Sequence, residues 1–320
     1  MSDLLNFVRL GNSGLKISEL IFGTALTIGT EITDFDKVQE LIDEAWNQGI
    51  RCFDVSNNYG NGNAETLVGK CLEKYPRYLY VLMTKGSWAI GESAYERGLS
   101  RKHILWAFEE SLKRLNKDYV DVYFAHRYDA EVPMEEIVRT FNSLIASSKI
   151  RYWATSEWSL DALKECHSVC EKLNLEKPIT EQFICSYAVQ KSITNGIKLY
   201  CDKKGIGTMG FSPLCQGYLT GKYKNGVPGD SRIAKKDKIN YSKTENFYAQ
   251  NQDRIDFFLN TCDKYKVSYV SAALQWCIRQ KIYPVFGASK VEQIQKNVLA
   301  LSEKIPEDFW KKLSAFGEQK

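Results

Sequence analysis

The sequence predicts an α/β protein folded as a (β/α)8 TIM barrel, with an N-terminal β-hairpin and additional C-terminal helices. Three observations predict it. Eight short apolar runs recur at a spacing of about thirty residues, the period of a βα unit in such barrels. A longer segment with apolar residues at helical spacing follows each of them. No linker or compositional break divides the 320 residues, so residues 1–320 read as one domain rather than a doubly wound pair.

The elements follow in order. Residues 7–18 alternate in polarity around Gly11-Asn12-Ser13-Gly14, which is a hairpin signal. Leu20 to Thr24 is the first barrel strand. Asp36 to Gln48 is a helix with Val38, Leu41, Ile42 and Ala45 on one face, stopped by Gly49. Ile50 to Val55 is a strand, Asn63 to Lys74 a helix, and Leu79 to Thr84 the third strand. After a longer loop, Ser100 N-caps a helix that runs to Asn116. Tyr119 to Ala125 is the fourth strand. Met134 to Ser147 is a helix with Pro133 near its first turn. Ile150 to Thr155, Ile179 to Ile184 and Thr208 to Phe211 are strands five to seven, separated by helices Leu160 to Leu173 and Lys191 to Lys204. Residues 212–251 are rich in Gly and lack periodicity, and loops of that length are usually functional or disordered. Helices at Asp253 to Tyr265 and Ser268 to Arg279, strand Ile282 to Phe286, and helices Val291 to Leu301 and Glu307 to Phe316 complete the pattern.

Composition narrows the partners. A net charge of +4 with interleaved signs gives no basic stripe for nucleic acid. No run is long enough to insert in a membrane, and the N-terminus has no apolar signal core. Nine cysteines without a C-x-x-C pair read as reduced thiols of a cytoplasmic protein. The three histidines are scattered without ligand spacing, so no metal site is expected.

In a barrel of this type the active site forms where strands end and βα loops begin. The second strand ends in Asp54, with Tyr59 on its loop; the third ends in Lys85 and the fourth in His126, followed by Arg127. Singly, each has a plain structural role. Together they are a coherent acid. The Lys85 ammonium would favour the Tyr59 phenolate, a neighbouring charge being able to lower such a pKa by roughly 1–3 units. Asp54 would keep Lys85 charged and oriented, and neutral His126 would hold a carbonyl oxygen while Tyr59 protonates it. An acid over a carbonyl without a nucleophile suits hydride delivery from a cofactor. Gly205-Ile-Gly-Thr-Met-Gly210 matches a dinucleotide fingerprint literally, but it follows a helix and leads into a strand, the reverse of what that fingerprint needs. Gly205 is expected as a helix C-cap instead.

At these residues the sequence resembles the aldo-keto reductase superfamily, whose four catalytic positions match Asp54, Tyr59, Lys85 and His126. It is most similar to the branch that holds voltage-gated potassium channel β-subunits and their microbial and plant relatives. Nearly the whole chain takes part, through Arg9 to Lys16, Phe53 to Gly60, Ala64 to Gly69, Phe211 to Leu214, Gly217 to Tyr223 and Gly287 to Ile294. The resemblance implies NADP(H) as cofactor and a small carbonyl compound as substrate. By position it implies that Ser156 and Gln182 bond the nicotinamide amide and that Phe211 lies on the ring. Thr24 and Gly287 belong to the same implied set. Ser212, Leu214 and Gly217 would meet the pyrophosphate, Lys222 and Arg232 would clamp phosphate and ribose, and Ser289, Gln293 and Asn297 would hold the adenosine end. Leu26, Trp88 and Trp158 are candidates for the substrate wall. Three positions depart from the branch: Glu157 where Arg or Asn is usual, Phe211 for Trp, and Lys296 for an acidic residue. The resemblance leaves a second reading, a channel-subunit-like binding module that turns its cofactor over slowly. The chain begins close to the hairpin, without the N-terminal extension some channel subunits carry, which favours the enzyme. A homo-oligomer or a channel partner is compatible with either.

Overall fold

The computed structural model describes residues 5–229, 231, 234 and 250–316. Strands β1 (Phe7–Arg9) and β2 (Lys16–Ser18) form the antiparallel hairpin, with Phe7 opposite Ser18. Eight parallel strands then close into a barrel: β3 (Ile21–Gly23), β4 (Cys52–Asp54), β5 (Val81–Gly86), β6 (Val120–Ala125), β7 (Ile150–Ser156), β8 (Thr180–Ile184), β9 (Gly207–Phe211) and β10 (Ile282–Phe286). They pair in sequence order, and β10 closes the ring by pairing with both β9 and β3.

Eleven α-helices lie among the described residues: α1 (Phe35–Asn47), α2 (Asn63–Cys71), α3 (Arg101–Leu115), α4 (Met134–Ala146), α5 (Leu160–Leu173), α6 (Lys191–Thr194), α7 (Ile197–Lys204), α8 (Gln252–Tyr265), α9 (Tyr269–Arg279), α10 (Val291–Leu299) and α11 (Glu307–Ser314). Local chemistry sets many of their ends. Asp34, Ser100, Ser159 and Ser268 accept from backbone N–H groups as N-caps of α1, α3, α5 and α9. Asn116, Asn174 and Gly205 take the left-handed conformation at C-caps, which Gly and Asn tolerate best.

One expectation is corrected. Lys191 to Lys204 is two helices, because Gly196 at φ +85° turns the chain between α6 and α7. Within the loop after β9, Cys215–Thr220 is a 3-10 run containing positive φ angles, which no hydrophobic period announces. Arg232 and the basic run 235–238 lie outside the described residues.

The core has two layers. Phe22, Phe53, Leu82, Tyr123 and Phe183 face outward into the helices, while Ile21, Cys52, Met83, Val122, Phe124, Ala154 and Met209 fill the barrel. Leu10 and Ile17, from the hairpin, join that inner cluster and close the N-terminal end. All nine cysteines are buried free thiols. No helix among the described residues is long and apolar enough to cross a membrane.

The period of two along a strand now places the site. Stepping two residues up from the inner cluster takes Cys52 to Asp54, Met83 to Lys85, Phe124 to His126, Ala154 to Ser156 and Met209 to Phe211. These five, on β4, β5, β7 and β9 and directly after β6, form the top layer of the barrel interior. The alternate residues point outward: Thr84 donates to the buried Glu65 carboxylate of α2, which also accepts from Arg114 Nε at 2.7 Å.

Candidate active site

Lys85 is fully buried, and each of its three N–H groups is used. One goes to Asp54 Oδ1, one to the Val55 carbonyl at 2.9 Å and one to Tyr59 Oη at 3.1 Å. Asp54, 2% exposed, takes a second donor on its other oxygen, Gln182 Nε2 at 2.9 Å. A carboxylate satisfied on both sides is the arrangement that tolerates burial of an ion pair. Burial alone would discharge Lys85, but Asp54 and Tyr59 together raise its pKa. The ammonium therefore persists at neutral pH.

Tyr59 lies on a left-handed turn. Gly60 sits at φ +55°, and a Cβ there would strike the backbone of Gly29, so only glycine lets the loop pack so closely. The expected depression of the Tyr59 pKa is not found. Desolvation raises it, and the Lys85 charge, with Arg127 behind it, only partly offsets that rise. The ammonium-to-phenol geometry is as expected, but the burial that outweighs it is a property of the packed loop. Because Tyr59 Oη accepts from Lys85, its own proton has no acceptor among the described residues and is available for donation.

His126 is 5% exposed and stands edge-on to Tyr59 and to Trp88, with ring centroids 6.0 and 6.2 Å away. Burial and the cations Lys85 and Arg127 hold its pKa well below the usual histidine value, so the ring is neutral. Its Nδ1 lies 3.1 Å from Ser56 Oγ.

Ser156, the last residue of β7, is paired in register with Gln182 in the middle of β8, and Ile184 pairs with Phe211 on β9. Gln182 gives one amide N–H to Asp54 and retains its oxygen as an acceptor; Ser156 Oγ accepts from Arg127 Nη1 at 3.3 Å and keeps its proton as a donor. One acceptor beside one donor is the complement of a primary carboxamide such as that of nicotinamide. Ser212, Cys215, Gln216 and Gly217 all have positive φ, between 48° and 99°, a backbone curl of the kind that turns N–H groups toward an anion. At Gly217 a Cβ would collide with the Lys222 side chain. Ser289 donates its N–H to Gln293 at 2.8 Å, Asn297 is buried, and α10 begins after Lys290 with no side-chain cap. The residues present thus fit a nicotinamide dinucleotide.

Of the other expected residues, Thr24 bonds the Asp54 carbonyl through Oγ1 at 3.0 Å, which locks β3 to β4. Leu214 is half-buried against the core, and Gly287 is exposed. Leu26 is half-buried on the loop after β3, and Trp88 is 43% exposed beside His126. Trp158 is not an open wall: it is buried, with its indole N–H on the Ala125 carbonyl and its ring in a T-shaped contact with Tyr128. Glu157 adopts φ +58° and turns its carboxylate onto the Ile184 N–H at 2.6 Å. Lys296 is exposed on α10.

Three residues and one contact at the site carry no role that the sequence pattern assigns. Ser56 meets His126 across 70 positions of chain, and the bond from Gln182 to Asp54 spans 128. Arg127 lies half-buried with its guanidinium 5.1 Å from the Trp88 ring centroid. Its place directly after His126 was the one available signal. Glu181, outward-facing beneath Gln182, is wholly buried, with its pKa pushed up to about 8 by desolvation, and it accepts from the Trp158 N–H at 3.1 Å.

A sequence model of the aldo/keto reductase family matches residues 19–318. Three relatives carry provisional names as voltage-gated potassium channel β-subunits. The protein of Schizosaccharomyces pombe is 36% identical over 96% of this chain and 92% of its own length. Those of Arabidopsis thaliana and Oryza sativa subsp. japonica are 35% and 34% identical, each over 93% of this chain and 91% of its own length.

Proposed function

Because the chain belongs to the aldo/keto reductase family, which acts on small carbonyl substrates, we propose that it is an NADP(H)-dependent oxidoreductase that reduces aldehydes or ketones to alcohols, with Tyr59 as proton donor. One observation carries this reading: Lys85 spends its third N–H on the Tyr59 oxygen, so the phenol proton is the group left free at the rim. Bound NADPH would supply the hydride. As negative charge develops on the substrate oxygen, Tyr59 gives up its proton and the nearby ammonium stabilises the phenolate it leaves. Asp54 keeps Lys85 charged, and Gln182 ties that pair to the strand that would orient the nicotinamide amide. Lys222 and Lys290, with Arg232 from the sequence, favour a phosphorylated ribose and so NADP(H) over NAD(H).

The test is NADPH titration followed by near-UV absorbance with a panel of aldehydes. Many turnovers are expected, with NADPH favoured over NADH. Absence of multiple turnovers across the panel would reject the reductase reading.

The pKa directions predict the pH profile. His126 acts neutral, a form present above its pKa, and that pKa is lowered. Tyr59 acts protonated, a form present below its pKa, and that pKa is raised. Both changes widen the active window beyond the ordinary values of about 6.5 and about 10. Reduction of a non-ionising aldehyde should therefore show a flat kcat/KM from pH 6 to 9.5, roughly this window. An inflection near the ordinary histidine value would contradict it.

A second reading rests on the relatives' names: the chain serves as a cytoplasmic subunit of a potassium channel, with the bound cofactor in a sensing role. Recovery of a stoichiometric membrane channel with the tagged protein, together with at most one slow turnover, would favour it.

A further inference from the structure

The loop between β4 and α2 holds a polar residue that the tetrad does not include. Ser56 is fully buried, two residues past Asp54. Its Oγ lies 3.1 Å from His126 Nδ1, 2.7 Å from Asn58 Oδ1, 3.2 Å from the Lys85 carbonyl and 3.5 Å from Asn57 Oδ1. The Nε2 of His126 makes no hydrogen bond to a described residue and is not sealed in the core, so it borders the mouth.

A neutral imidazole carries one proton, and which nitrogen holds it is set by the hydrogen bond the other nitrogen makes. We propose that Ser56 is a positioning residue that fixes the tautomer of His126: its hydroxyl donates to Nδ1, which leaves the ring proton on Nε2, facing the substrate oxygen. This deepens the reductase reading and rests on it for its catalytic consequence.

Asn58 Oδ1 is the nearest acceptor to Ser56 Oγ. Were Ser56 to donate to Asn58 Oδ1, its oxygen could only accept from Nδ1–H, and Nε2 would present a lone pair to the carbonyl oxygen. That ring would repel the substrate it borders. The two ends of a side-chain amide are distinguished only by their network. With the Asn58 amide turned so that Nδ2 faces Ser56, Asn58 donates to Ser56 Oγ, Ser56 donates to Nδ1, and Nε2–H is the free donor. Every proton then has one acceptor along the relay. The Lys85 carbonyl does not need the Ser56 proton, since it already accepts the Asn57 N–H at 3.1 Å. The buried neutral ring makes the choice strict, because a charged ring would carry a proton on both nitrogens and need no selection.

The experiment reads the tautomer directly. Nitrogen-15 spectra of the whole protein contain only three histidine rings, and the His126 signals are those missing from His126→Gln. In the wild type, Nε2 is expected to be protonated and Nδ1 to be a hydrogen-bonded lone pair. In Ser56→Ala the ring should become a mixture of tautomers. kcat should fall on the order of tenfold with KM changed less than about twofold, because the lost bond acts in the transition state. Ser56→Thr, which keeps the hydroxyl, should restore the wild-type spectrum and most of kcat. A wild-type proton on Nδ1, or a Ser56→Ala spectrum identical to wild type, would overturn the proposal. The spectra need no turnover, so a failure of the reductase reading leaves this outcome separately decided.

Discussion

Tyr59→Phe should lower kcat for carbonyl reduction by about 10²–10⁴-fold, the usual contribution of a positioned general acid. It should leave the affinity for NADPH nearly unchanged. The reason lies in the division of labour at Lys85. The ammonium is pinned by Asp54 and by the Val55 carbonyl whether or not Tyr59 has a hydroxyl. Removing the oxygen therefore does not release Lys85 into the barrel. It leaves one N–H facing a phenyl edge, a loss of about 1–3 kcal/mol for a buried donor. The ring keeps its packing against His126, so the loop that carries it should stay closed. The bare phenyl ring has no proton to give, and Lys85 cannot substitute, because its pKa is raised and its remaining N–H groups are committed. Steady-state rates and NADPH fluorescence titration of the same preparation check the two halves. A variant that keeps activity within about tenfold of wild type would remove Tyr59 from the role of acid.

Much of this was legible in the chain. Strand and helix periods located the barrel, and α5 and β10 have the residue bounds the pattern predicts. The period of two then carries Cys52 to Asp54 and Met83 to Lys85, so the convergence of the tetrad follows from strand register once closure is assumed. What was not legible has physical causes. Gly196 splits a helix that its neighbours' propensities would continue. The curl at Ser212 to Gly217 is built from φ angles, which leave no hydrophobic period behind. The sign of the Tyr59 shift depends on how much water the folded loop excludes, and charge spacing along a sequence does not report that. Ser56 and Gln182 meet their partners across the barrel, where no local pattern connects them.

The largest effect on stability is expected at Lys85. Both members of the pair are buried, with side-chain exposures of 0% and 3%. Lys85→Met would leave Asp54 with Gln182 as its one remaining side-chain donor, so an almost unexposed carboxylate loses its counter-charge. Breaking such a pair from one side costs about 3–5 kcal/mol, because the surviving charge stays desolvated. The double variant Asp54→Asn, Lys85→Met removes both charges and should recover much of that loss, since a neutral amide beside a thioether carries no Born penalty. Activity should not follow stability. Without the ammonium, nothing stabilises the phenolate that Tyr59 must become, so both variants should be as slow as Tyr59→Phe or slower. Urea unfolding and turnover, measured on the wild type, both single variants and the double variant, separate the two roles. If the double variant is destabilised by the sum of the single losses, the two residues are not coupled and the ion pair does not hold the site together. If it is stable and inactive, the buried charge is retained for chemistry at a cost to the fold.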